Sequence, residues 1–207
     1  GALVTGAWLM EKYLACWRNS GELFEHALFV TEGNWMALGQ YGLWIEDKGD
    51  AAKADKQLSE AQKLWKEALG YYDQSVAAAP LYASMYHNRG NILFKIRDLK
   101  GAEEAYRMAV QLTPQSWESQ FQLGQLLAVE RRIKEGLPFL EAAAKLKPDL
   151  FEAHAVLADV YVQLNNFAGA HDEAVKALTI TPGDARMQSI KAQCEAAMQF
   201  QPGMQGR

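Results

Sequence analysis

The side chains with the most chemical reach are four histidines, His26, His87, His154 and His171, and two cysteines, Cys16 and Cys194. A metal centre would need two histidines one helical turn apart beside a carboxylate, or cysteines and histidines at zinc-finger spacing. Neither arrangement occurs, so no metal ligand and no cofactor is expected. The acid pairs Glu103–Glu104 and Asp172–Glu173 fall near the starts of predicted helices, where negative charge complements the helix dipole. No glycine-rich phosphate loop follows a strand, and no nucleophile elbow or triad pattern is present. No residue is therefore assigned a catalytic role, and this chain is expected not to be an enzyme.

The totals narrow the class further. Apolar residues make up 49% of the chain and charged residues 22%, the balance of a globular protein and not of a disordered one. The net charge of −4 leaves no basic footprint for nucleic acid, which is not an expected partner. Cys16 and Cys194 stand near opposite ends, so no disulfide framework is expected. The chain begins at Gly1, as a processed or excised segment would. It shows no signal-peptide pattern and no apolar run of about 18 residues that could span a bilayer.

What positions these residues is a repeat. Pro80, Pro114, Pro148 and Pro182 stand 34 residues apart. Ten positions after the first three come Gly90, Gly124 and Ala158; further on come Ala102, Gly136 and Ala170, then Ala109, Ala143 and Ala177. Larger residues such as Tyr106 and Leu140 fall between them. Two antiparallel helices approach to about 8–10 Å when small side chains occupy the crossing points and large ones fill the gaps beside them. Each proline ends a second helix, because it cannot continue the backbone bonding and restricts the residue before it. Pro138 is expected in the first turn of its helix, where its missing N–H costs nothing.

This pattern resembles the tetratricopeptide repeat, a helix–turn–helix of 34 residues, in unbroken register over 81–182. The resemblance implies an all-α fold, a right-handed solenoid of antiparallel helix pairs. It divides the chain into an irregular first hairpin at 1–34, a stretched repeat at 35–80 and repeats at 81–114, 115–148 and 149–182. A capping helix at 183–200, with Asp184 as its cap, and a tail at 201–207 complete it. In the stretched repeat, Gly42 to Pro80 takes 38 residues where Gly90 to Pro114 takes 24, so about 14 are inserted. The insert, at 51–64, is rich in helix formers and is expected to extend the second helix, as a solvated spur or as a docking arm. His26 and His171 are expected on second helices as partly exposed packing residues.

The resemblance also implies a groove lined by first helices. Its sixth and ninth repeat positions hold Gln40, Asn88, Gln122 and Val156, then Leu43, Asn91, Gln125 and Asp159; its fifth holds His87 and Phe121. The candidate peptide-binding residues are thus Gln40, His87, Asn88, Asn91, Phe121, Gln122, Gln125 and Asp159. Amides in one register could pair with the backbone of an extended peptide, similar to the asparagine ladder of O-GlcNAc transferases, or could be polar only because they are wet. A clamp for a terminal carboxylate would need Lys and Arg where Glu118, Gln122, Glu152 and Val156 stand, so the expected partner is a neutral to basic protein segment.

The start of the chain adds a second resemblance. Trp17, Arg18, Ser20, Leu23, Phe24, His26, Ala27, Leu28, Val30, Thr31 and Asn34 are similar to a junction in a family of bacterial membrane proteins. That family joins a multi-span glycosyltransferase-like domain, related to protein O-mannosyltransferases, to a tetratricopeptide tail. It implies that 1–17 leave a membrane span, that the larger parent could be a glycosyltransferase, and that this tail lies on the extracytoplasmic side. The alternative is a stand-alone assembly protein, with a cytoplasmic location. Residues 1–17 are apolar on more than one face, so Trp8, Leu9 and Tyr13 would then form a docking or self-association surface, as in a homo-oligomer.

Overall fold

The structure, a computed structural model, describes residues 20–200. The expectations for Trp8, Leu9 and Tyr13, for the span exit at 1–17 and for the tail at 201–207 lie outside the described residues. Among the described residues there are ten α-helices and no strand: α1 Ser20–Val30, α2 Trp35–Ala54, α3 Leu58–Ala78, α4 Ala83–Lys95, α5 Leu99–Leu112, α6 Trp117–Val129, α7 Ile133–Leu146, α8 Phe151–Gln163, α9 Phe167–Ile180 and α10 Ala185–Phe200. They fall into two compact units that meet in sequence between Leu112 and Thr113.

In the first unit α2 pairs with α3 and α4 with α5; α1 packs on α2, and α3 on α4. The seam of each hairpin is built as the small/large spacing requires. A Cβ on Gly90 would meet the Tyr106 ring at 2.5 Å, and one on Gly42 would meet the Tyr72 ring at 3.1 Å. Both tyrosines are fully buried and keep a partner for the hydroxyl: Tyr106 donates to Asn91 Oδ1 at 2.9 Å and Tyr72 to Glu46 Oε2 at 2.8 Å. Burial pushes both phenols well above the usual range, and beside Tyr72 the Glu46 carboxylate adds to it.

The inserted residues correct the expectation of a longer second helix. Both arms grow: α2 runs for 20 residues and α3 for 21. The pair Gly42–Tyr72 is repeated one heptad outward as Gly49–Trp65, where a Cβ on Gly49 would lie 2.6 Å from the indole. Ala52 and Ala61 close the tip, both buried. Seven residues are nearly two helical turns, so a heptad added to each arm keeps the seam facing inward.

In the second unit α6 pairs with α7, α8 with α9, and α10 packs on α9 and α8. Its seams are aliphatic, with Leu123, Leu127, Leu140, Leu157 and Val160 buried beside small residues. Pro138 departs from expectation. It lies inside α7, beyond the first turn, on an exposed face, where its missing N–H removes one backbone bond. Asp184 Oδ1 accepts from the Met187 N–H at 2.8 Å and caps α10.

Four hairpin turns use one device. Lys56, Arg97, Arg131 and Asn165 take positive φ, and the next residue's N–H reaches back to Ala52, Leu93, Leu127 and Tyr161 O at 2.8–2.9 Å. This is the Schellman closure, with a non-glycine in the left-handed position.

Candidate functional site: the exposed lane of the first helices

Burying the seam leaves the other side of each first helix uncovered. Its residues recur at i, i+4, i+7 and i+11, one face of a 3.6-residue helix. In the first unit this lane is Met36, Gln40, Leu43 and Asp47 on α2, and Ser84, Asn88, Asn91 and Lys95 on α4. In the second it is Glu118, Gln122, Gln125 and Val129 on α6, and Glu152, Val156, Asp159 and Gln163 on α8. No residue of this stripe is fully buried.

The predicted residues divide by what their side chains already hold. Among the described residues, the amides of Gln40, Asn88, Gln122 and Gln125 make no hydrogen bond, although three of them are half-buried. Asn91 has its carbonyl taken by Tyr106. His87 packs its ring 6.1 Å from that of Tyr106. Asp159 is ion-paired with Arg186 of α10. Phe121 is a core residue, 9% exposed and clustered with Leu140, Ala143 and Leu157. One residue before Gln122, it is turned about 100° away from the lane.

Lys95 is also committed. Its ammonium donates to Glu46 Oε1 at 2.7 Å and Asp50 Oδ2 at 2.6 Å, and Asp50 Oδ1 accepts from the Trp65 indole at 3.0 Å. Burial works against this ammonium, but the two carboxylates outweigh it and hold its pKa above the usual lysine value. The network ties α4 to both arms of the long hairpin. The unengaged groups of the first unit's lane are therefore apolar or neutral, with Met36 and Leu43 exposed, apart from Asp47.

Sequence reasoning missed His154. It is buried in α8, with Nδ1 2.6 Å from Glu173 Oε2 and Nε2 3.0 Å from the carbonyl of Pro148. The carbonyl can only accept, so Nε2 carries a hydrogen. Gln120 donates likewise to Pro114 O at 2.9 Å, and Gln188 to Pro182 O at 3.0 Å. A side-chain N–H six positions after the proline was the available signal. His171, half-buried on α9, lies 3.4 Å from both Asp172 and Glu195. No group of three or more metal-ligating side chains occurs among the described residues, and no described helix is long and apolar enough to cross a membrane.

Two tetratricopeptide-repeat family models match the chain, at 46–116 and at 127–194, together more than half of it. Human tetratricopeptide repeat protein 33 is 32% identical over 99 residues, which are 45% of this chain and 37% of that protein. The chain thus matches little more than a third of the length of this curated relative. Among solved structures, MamA from Desulfovibrio magneticus RS-1 is similar with a TM-score of 0.66 at 16% identity, over 87% of this chain and 96% of its own. YrrB, described as a tetratricopeptide-repeat protein with an unusual peptide-binding site, gives 0.57 at 20% identity over 83% and 99%. A thermophilic repeat protein of Thermus thermophilus gives 0.56 at 20% identity over 94% and 96%. At these identities the structures speak for the fold alone. The repeats, their period and the helix pairs agree, and the chain is a tetratricopeptide-repeat protein.

Proposed function

We propose that the chain is a non-catalytic module and that the lane of first helices in each unit holds an extended segment of another protein. The observation that carries this is the set of unengaged amides, Gln40 and Asn88 in one unit and Gln122 in the other at the sixth repeat position, with Gln125 at the ninth. An extended backbone has N–H and C=O groups in need of such partners. Glu118 and Glu152 are partly or fully exposed, with no neighbouring cation paired to them among the described residues, which favours a neutral to basic segment. The description of YrrB supports the general use of this fold for peptides.

The junction-like string at 17–34 supports placing the module as the tail of a membrane-anchored, glycosyltransferase-like protein. Fractionation with an antibody to this chain tests that: a large membrane-bound species is expected, and a soluble species near 23.1 kDa contradicts it. The binding itself is tested on an array of unstructured peptides with the double variant Asn88→Ala, Gln122→Ala. Binding should fall while the circular dichroism and melting curve stay those of the parent. Unchanged binding rejects the lane.

A further inference from the structure

A second surface lies on the other set of helices in the first unit. A groove of about 710 Å³ runs between α1 and α3, with Tyr41 of α2 also lining it. Leu28 and Phe29 line it beside the rings of Tyr41 and Tyr71, which meet edge to face at 4.8 Å. Phe29 is 88% exposed and Val30 beside it 58%, although an apolar ring in water is unfavourable by a few kcal/mol relative to burial. Two carboxylates, Glu25 and Glu32, line the same groove, and no Lys or Arg of the described residues does. Among the described residues neither carboxylate has an ion-pair partner. Lys48 lies over the ring of Trp44, at 3.4 Å.

Both phenols are held above their usual range, first by burial and then by carboxylates, Glu25 for Tyr41 and Glu67 with Glu25 for Tyr71. An exposed aromatic between unpaired acids repels nucleic acid and anionic lipid headgroups alike. It is complementary to one kind of occupant: an amphipathic helix with a large apolar residue flanked by Lys or Arg.

We infer that the groove between α1 and α3 is a docking site for a basic amphipathic segment of another polypeptide, separate from the lane of first helices. Phe29 and Leu28 would receive its apolar side chains, and Glu25 and Glu32 its cations.

The test uses the full chain and two synthetic amphipathic helical peptides with the same apolar residues, one flanked by Lys and Arg, the other by Glu. The basic peptide should bind at least about tenfold more tightly than the acidic one, as measured by fluorescence anisotropy. Glu25→Lys with Glu32→Lys should abolish or invert that preference. Phe29→Asp should weaken both peptides, and the lane variant Asn88→Ala, Gln122→Ala should change neither. All five sites are at least partly exposed, so the variants should melt as the parent does. Equal binding of the two peptides, or indifference to the charge reversal, overturns the proposal. So does a chain that is dimeric in solution and dissociates with Phe29→Asp, which gives the groove to a second copy. Binding that arises only after removal of residues 1–19 gives it to the chain's own start and overturns the proposal too.

Discussion

The long hairpin α2–α3 of the first unit and the regular hairpin α6–α7 of the second solve one packing problem differently. In α6–α7 two glycines face each other, and backbone meets backbone: a Cβ on Gly136 would lie 2.8 Å from Gly124 O. The filler is aliphatic Leu140. In α2–α3 the glycines face aromatic rings, and each ring carries a polar end that is tied down, Tyr72 to Glu46 and Trp65 to Asp50. The α6–α7 seam closes on van der Waals contact. Longer arms, with more freedom to splay and shift, are pinned by directional bonds, and Lys95 carries the pinning into the next hairpin.

The sharpest way to break this comparison is Trp65→Ala. It removes the outer filler and the Asp50 bond together, and unfolding in denaturant should show a loss of about 3–5 kcal/mol. Hydrogen exchange should report the loss first in α2 and α3. If stability hardly changes, the added heptads are a spur and not a working seam.

Gly136→Ala tests the backbone contact in the regular hairpin. Its Cβ has no flexible neighbour to displace, so a loss of about 1–3 kcal/mol is expected. A neutral result would mean that α6 and α7 sit less close than the geometry states. Pro138→Ala acts on the same hairpin with the opposite sign. Restoring the backbone bond on an exposed face should raise stability by about 1–3 kcal/mol, read from the same denaturation midpoint.

Tyr72→Phe is the smallest change and the most specific. It keeps the ring and removes one bond to Glu46, which Lys95 still holds, so about 1–2 kcal/mol should be lost. The tyrosines also fix a pH dependence. Their folded pKa values are raised, so the stability they contribute is complete below about pH 10 and declines as the pH rises above it. The decline should be smaller in Tyr72→Phe, as followed by alkaline denaturation at constant salt.

Much of this was legible from spacing. The period of 34 gave the helix pairs, and the small residues gave the seam, because both follow from helix geometry alone. The insert was misread because good helix formers at 51–64 do not say which arm they lengthen. The pair Gly49 and Trp65, one heptad beyond Gly42 and Tyr72, did say so. In the lane, the exposed stripe followed from register, but its free groups did not. Asn91 and Asp159 are consumed by Tyr106 and Arg186, which lie 15 and 27 residues away in sequence. Phe121 was misplaced by one helical step, and a step is enough to exchange lane for core. His154 looks like an isolated histidine until the glutamines at 120 and 188 reveal a shared duty toward proline carbonyls.

The measurement closest to the central claim is site-specific photocross-linking of the full chain to a mixture of unstructured peptides. Photoreactive residues would replace Gln40, Asn88, Gln122 and Gln125 in the lane, and Glu104 and Lys134 on second helices as controls. Peptide adducts should form from the lane positions and almost none from Glu104 or Lys134. Adducts that form equally from both sets, or only from the controls, would contradict the claim.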